Sequence, residues 1–296
     1  MDAFYIILTA SFFAISCGLL GVFLVLRKMA MVGDAISHAV LPGIVIAFLL
    51  TGTRDSFEVI IGAALLGIFS TFLIEYFHNK ARLQTDAAIG VTFTSLFALG
   101  VILITVFAGQ VDLDQECVLY GEIAYVPIDL WITEGGTNFG PRALYIAALT
   151  LTLNILFLRI GFKQLYLTTF DPAFAASIGI SVSLWNYFLM GAVSMTTVAA
   201  FDSVGAILVV ALIVVPPATA YLLTDSFKPL LLLTVAIAIF ISIAGYFLAV
   251  ALDGSIAGAI VTVSGVLFGL TFLYTQWSKR KAVQLHSAQE MQALQD

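Results

Sequence analysis

The chain has 296 residues, of which 61% are hydrophobic and 10% charged, with a formal net charge of -6. A soluble domain carries about 25% charged residues, so this composition and a mean hydropathy of +1.09 mark a polytopic membrane protein and leave no room for a soluble catalytic or nucleic-acid-binding domain. The two cysteines, Cys17 and Cys117, suggest neither a disulfide framework nor a zinc motif and read as free thiols.

About 20 apolar residues cross the hydrocarbon core of a bilayer. That rule places spans at approximately 4–26, 31–51, 57–77, 87–108, 143–160, 181–201, 203–223, 229–250 and 255–275. The expected fold is all-α with about nine transmembrane helices. Eight is the alternative, because Phe201-Asp202-Ser203 leaves almost no loop between two of them and one of that pair is then short or re-entrant. The first stretch is too long for a secretory signal core, and its basic residues follow it. Positive charge gathers on cytoplasmic loops. With the N-terminus outside, the inner side holds Arg27, Lys28, Lys80, Arg82, Arg159, Lys163, Lys228, Lys279, Arg280 and Lys281, and the outer side only Arg54 and Arg142. An odd number of spans then puts the C-terminus in the cytoplasm.

In chain order, the first span combines Cys17 with Gly18 and Gly21, a small-residue face for close helix packing. The second opens on Gly33-Asp34-Ala35-Ile36-Ser37-His38-Ala39-Val40-Leu41-Pro42-Gly43. On a helix, Asp34 and His38 share one face with Cβ atoms roughly 6 Å apart, within chelating distance of one cation. Pro42 has no N–H for the carbonyl of His38, which becomes a further oxygen donor or a kink point. An ionisable residue inside a membrane span is a functional candidate by default; the alternative is a carboxylate–imidazole pair that only locks two helices. His78, in the basic turn His78-Asn79-Lys80-Ala81-Arg82, reads as a solvated loop residue.

The external segment 109–140 carries Asp112, Asp114, Glu116, Glu122, Asp129 and Glu134 without Lys or Arg. It reads either as an acidic vestibule that concentrates cations or as a plain solvated loop. Tyr120, Tyr125 and Trp131 fit an interfacial aromatic belt. The internal segment 161–180 holds Asp171, a good N-cap, Pro172, suited to the first helical position, and Gly179, a plausible stop. A short surface helix over 171–178 is therefore expected, either docking an inner partner or serving as a connector.

Asp202 lies near the outer surface, as an entrance ligand or an ordinary interfacial residue. In the next span, Pro216 and Pro217 free the carbonyls of Leu212 and Ile213, and the expectation is a broken helix lining a pathway with Pro42. Gly254, Gly258, Gly265 and Gly269 form two small-xxx-small patterns for packing within the chain or across a dimer. The expected organisation is a membrane domain over 1–276 and a cytoplasmic tail over 277–296. The chain has no G-x-x-x-x-G-K-[ST] loop for ATP, no H-E-x-x-H and no G-x-S-x-G. No second carboxylate stands well inside a span, as a proton-coupled carrier or intramembrane protease would normally require.

Three ordered stretches resemble the membrane permease subunits of the ABC-type importers for manganese, zinc and iron. They are Gly33–Gly43, then Phe170-Asp171-Pro172-Ala173-Phe174-Ala175-Ala176-Ser177-Ile178-Gly179, then Val204-Gly205-Ala206-Ile207-Leu208-Val209-Val210-Ala211-Leu212-Ile213-Val214-Val215-Pro216-Pro217-Ala218-Thr219-Ala220. The resemblance runs from about residue 5 to 278. It implies a dimeric permease, as a homodimer or with a paralogue, that hydrolyses no ATP itself and works with a cytoplasmic ATP-binding subunit and an external metal-binding receptor in the bacterial plasma membrane. It further implies Asp34 and His38 as the metal site in the pathway, and 171–178 as the helix that docks on the ATPase. The stretch Asp112–Pro127 is most similar to the manganese members. Zinc and iron(II) are the alternatives within the family. A channel or secondary carrier without an ATPase, and a structural scaffold, are the alternatives outside it.

Overall fold

The computed structural model describes residues 2–51, 57–107, 123–132 and 138–293. Among them the helices are α1 (Asp2–Leu26), α2 (Val32–Ala39), α3 (Leu41–Thr51), α4 (Phe57–Lys80), α5 (Thr85–Phe107), α6 (Arg142–Phe170), α7 (Pro172–Ser177), α8 (Val182–Val204), α9 (Ala206–Leu223), α10 (Phe227–Leu252) and α11 (Ile256–Ala293). With α2 and α3 taken as one kinked element, 9 of these are long and apolar enough to cross a membrane. The pair around Asp202 counts as two. A single residue, Gly205, separates α8 from α9, with φ 79 and ψ 160. Only glycine adopts that conformation without strain, which is how two spans meet with almost no loop.

An apolar helix with small residues on several faces buries itself among other helices. Helix α1 does so: Phe13, Ala14, Cys17, Leu20, Phe23 and Leu24 are essentially inaccessible. It packs on α6, α8, α9 and α10, while α2 to α5 form a second group joined to the first through α8 and, at α2, through α9. A buried polar node ties the first group together. The Asn154 amide of α6 donates to Ser16 Oγ of α1 at 2.6 Å and to Thr196 Oγ1 of α8 at 2.7 Å.

The expected break at the diproline is absent. Helix α9 runs unbroken through Pro216 and Pro217, and both rings are buried. Proline's fixed φ is itself helical, and the lost hydrogen bonds are tolerable where neighbouring helices enclose the freed carbonyls. Here α1 encloses them: a Cβ built on Gly21 would fall on the Ile213 carbonyl, and one on Gly18 would come within 3.9 Å of the Leu212 carbonyl. Pro42 does coincide with a break. Val40 separates α2 from α3, and its carbonyl accepts from Gly43 at 2.9 Å and Ile44 at 3.1 Å. The reading of Gly265 and Gly269 as packing sites within the chain is not met among the described residues, where nothing lies within 4 Å of a Cβ built on them.

The described part of the long acidic segment is more ordered than a solvated loop. Ile123 and Val126 are buried in the main core, and Leu130–Ile132 pairs antiparallel with Asn138–Pro141 as β1 and β2, a small exception to an all-helical chain. Trp131 lies edge-on to Tyr145, ring centroids 5.8 Å apart. Asp112, Asp114, Glu116, Glu122, Glu134 and Tyr120 lie outside the described residues. His78 is exposed but not in a loop: it lies in the last turn of α4, and its Nδ1 donates to the Leu83 carbonyl at 2.9 Å.

Candidate metal site and basic-end network

Asp34 sits in the first turn of α2 and His38 in the last. One helical turn puts them on the same face, with Asp34 Oδ1 and His38 Nε2 3.7 Å apart. An ion about 2.1 Å from each atom spans that gap. Both side chains are about one-third exposed, His38 at 34% and Asp34 at 38%, so the pair faces open space rather than a closed cage. The imidazole rests against two rings of α5, Phe93 at 5.5 Å and Phe97 at 5.7 Å. Among the described residues no group of three or more His, Cys, Asp or Glu converges on one point. The pair thus supplies one oxygen and one nitrogen, and any further donors come from backbone, water or another chain. Asp202 lies in the last turn of α8, and its side chain is outside the described residues.

Helix α2 is seated by α9. A Cβ built on Gly33, next to Asp34, would come within 3.1 Å of Ile213 Cδ1. The turn of α9 whose carbonyl meets Gly21 therefore also supports the start of the helix that bears the pair.

The short helix over 171–178 is built as the sequence predicts. Asp171 Oδ1 accepts from the Phe174 N–H at 2.9 Å and Pro172 opens the helix. At the other end, the N–H of Ile180 bonds to Ala175 O at 3.0 Å and that of Gly179 to Ala176 O at 3.1 Å, with Gly179 at φ 87. This pair of bonds around a left-handed glycine is a Schellman stop. Ala175 is fully buried and anchors the element, whereas Asp171, Pro172, Ala173, Phe174, Ala176, Ser177 and Ile178 are exposed. Phe174 and Ile178 thus present apolar surface at the end of the bundle where Arg27, Lys80 and Arg82 also lie.

Beside this helix lies a network that the sequence alone did not reveal. Two residues past the end of α1, Lys28 lies in the left-handed region, φ 59, with Met29 N–H bonded to Leu24 O at 2.9 Å. That turn aims Arg27 into the protein. Its guanidinium donates to Thr169 Oγ1 at 3.0 Å, Asn186 Oδ1 at 2.9 Å and Thr168 Oγ1 at 2.9 Å. Asn186 in turn donates to Glu75 Oε2 of α4 at 3.4 Å. Burial lowers the Arg27 pKa to about 10, so the side chain stays cationic at neutral pH. The one signal for Glu75 was a lone carboxylate in the apolar run Leu73-Ile74-Glu75-Tyr76-Phe77.

Residues 3–275 match the family model described as the ABC 3 transport family. The chain is 48% identical to the manganese transport system membrane protein MntD of Bacillus subtilis (strain 168) over 271 residues, 92% of this chain and 91% of that protein. It is 45% identical to the zinc transport system membrane protein TroD of Treponema pallidum (strain Nichols), over 91% of this chain and 73% of that one. Among solved structures it resembles PsaBC from Streptococcus pneumoniae in complex with Fab, with a TM-score of 0.73, 32% identity, and coverage of 90% of this chain and 89% of that chain.

Proposed function

The chain belongs to the ABC 3 transport family, and from that premise we propose that it is the membrane permease subunit of an ATP-driven importer for a divalent metal, manganese above others. The observation that carries the metal reading is the Asp34–His38 pair, two donors 3.7 Å apart on one turn of a membrane helix. One carboxylate oxygen and one imidazole, with no third His, Cys, Asp or Glu joining them among the described residues, suit manganese better than zinc, whose tetrahedral sites are rich in Cys and His. The 48% identity to a manganese transport protein supports the same choice. Zinc binds such donors more tightly by the Irving–Williams order, so it occupies the pair and leaves it slowly.

Two donors do not complete a coordination shell. A second permease copy that brings its own pair toward a shared axis, with carbonyl and water oxygens, would. The charge distribution supports a cytoplasmic location for the basic end of the bundle, in a bacterial plasma membrane. The capped helix at 171–178 is then the docking element for a cytoplasmic ATP-binding subunit, and the acidic outer segment faces a metal-binding receptor protein.

The test is uptake into proteoliposomes holding the full complex. Manganese uptake that needs ATP and the ATP-binding subunit, and that micromolar zinc inhibits, is the expected result. Full-rate uptake without ATP would identify a channel or secondary carrier, and efficient zinc transport without manganese transport would overturn the metal assignment. For the docking element, Asp171→Ala combined with Pro172→Gly removes a cap worth about 1 kcal/mol and the preset first residue. Transport-linked ATPase stimulation should fall while manganese binding stays unchanged; full stimulation would assign docking to another inner loop.

A further inference from the structure

We infer that Arg27 is a positioning residue that links the helix carrying Asp34 and His38 to the helix at 171–178, through one hydrogen-bonded node at the basic end of the bundle. The inference rests on the permease reading above and goes beyond it by assigning the connection between the two functional elements. Topology asks only that a positive charge stand near the inner surface, and a solvated Lys or Arg meets that need. Arg27 does more. Its Nε, Nη1 and Nη2 each reach a separate acceptor at 2.9–3.0 Å on α6 and α8. A planar guanidinium donates from three separate nitrogens in fixed directions, whereas a lysine ammonium donates from a single nitrogen.

The placement of the acceptors carries the argument. Thr168 and Thr169 lie in the last turn of α6, immediately before Asp171, the N-cap of α7. Asn186 lies in the first turns of α8, which begins just after the Gly179 stop. The same guanidinium therefore holds the segment entering α7 and the segment leaving it. Asn186 extends the grip to Glu75 on α4. On its own chain, Arg27 belongs to the turn between α1 and α2, seven residues ahead of Asp34. Thr168 is buried, and Arg27, Thr169, Asn186 and Glu75 are half-buried, so the node is only partly open to water. A displacement of α7 by a closing ATPase reaches the start of α2 through hydrogen bonds that cannot slacken without stranding a half-buried charge.

The test uses the complete importer with its ATP-binding subunit and receptor in proteoliposomes, with Mn2+ uptake and ATP hydrolysis measured in the same vesicles. In Arg27→Gln, and in the isosteric double variant Thr168→Val with Thr169→Val, the metal moved per ATP hydrolysed should fall at least about tenfold. Mn2+ binding to the detergent-solubilised complex should be unaltered. The double variant Thr168→Ser with Thr169→Ser keeps both hydroxyls and should restore the ratio to within about twofold. If Arg27→Gln does not fold, the valine pair decides. Wild-type ratios in the valine pair, or a loss of folded complex with the ratio intact, overturn the coupling role alone. Absence of ATP-dependent uptake in the unaltered complex overturns the permease reading itself, and the coupling role with it.

Discussion

Asp34→Asn and His38→Ala should each reduce ATP-driven manganese uptake to background while the protein remains folded and complexed. The asparagine keeps the size of the side chain and one oxygen but removes the negative charge that balances a dication inside the membrane. The alanine removes the only nitrogen donor within reach of Asp34 among the described residues. Loss of a group that only hydrogen-bonds to a ligand already costs about 10–100-fold in metal affinity, so loss of a ligand should exceed that. Folding should survive because both side chains are about one-third exposed, and only His38 adds ring contacts, with Phe93 and Phe97. Metal content of the purified complex, transport of manganese, iron and zinc, and a thermal melt separate the effects. Normal manganese uptake in both variants would remove the pair from the mechanism.

Hydropathy and charge made most of the architecture legible, because a span must be apolar and its flanks must carry the charge. All nine proposed spans coincide with helices long and apolar enough to cross a membrane. The cap residues of α7 were legible for a different reason: Asp171, Pro172 and Gly179 each act within a few residues of themselves, so sequence distance and spatial distance agree. The diproline misled because its fate depends on a partner almost 200 residues away. Pro216 and Pro217 predict a break only if nothing encloses the freed carbonyls, and α1 encloses them. The network around Arg27 was hidden in the same way. Thr168, Thr169, Asn186 and Glu75 lie on three different helices and share no spacing rule. Small residues were legible in kind but not in place. Gly18 and Gly21 do make close contacts, whereas a Cβ on Gly265 or Gly269 meets nothing within 4 Å among the described residues.

Gly21→Ala should be among the most damaging glycine-to-alanine substitutions in the membrane domain. A methyl group there falls on the Ile213 carbonyl, and the Pro217 ring lies only 3.1 Å from it. Backbone and a buried proline ring cannot swing aside as a flexible side chain would, so α1 and α9 must move apart. Overpacking of a core typically costs about 1–3 kcal/mol, and the upper end applies where the obstacle is backbone. The separation would also uncover the carbonyls that the prolines leave without donors, adding the cost of a buried unpaired acceptor. Because Ile213 also supports Gly33, the shift reaches the start of α2, the helix that bears both Asp34 and His38. Thermal melts of the detergent-solubilised protein should place Gly21→Ala well below Gly18→Ala. At Gly18 the nearest obstacle is the Thr234 methyl at 2.9 Å, a side-chain end that can yield. Gly265→Ala, with open space around it, should melt like the unaltered protein. Equal melting of the Gly21 and Gly265 variants would mean that the helices do not approach here as closely as described, and that another contact keeps the diproline helix continuous.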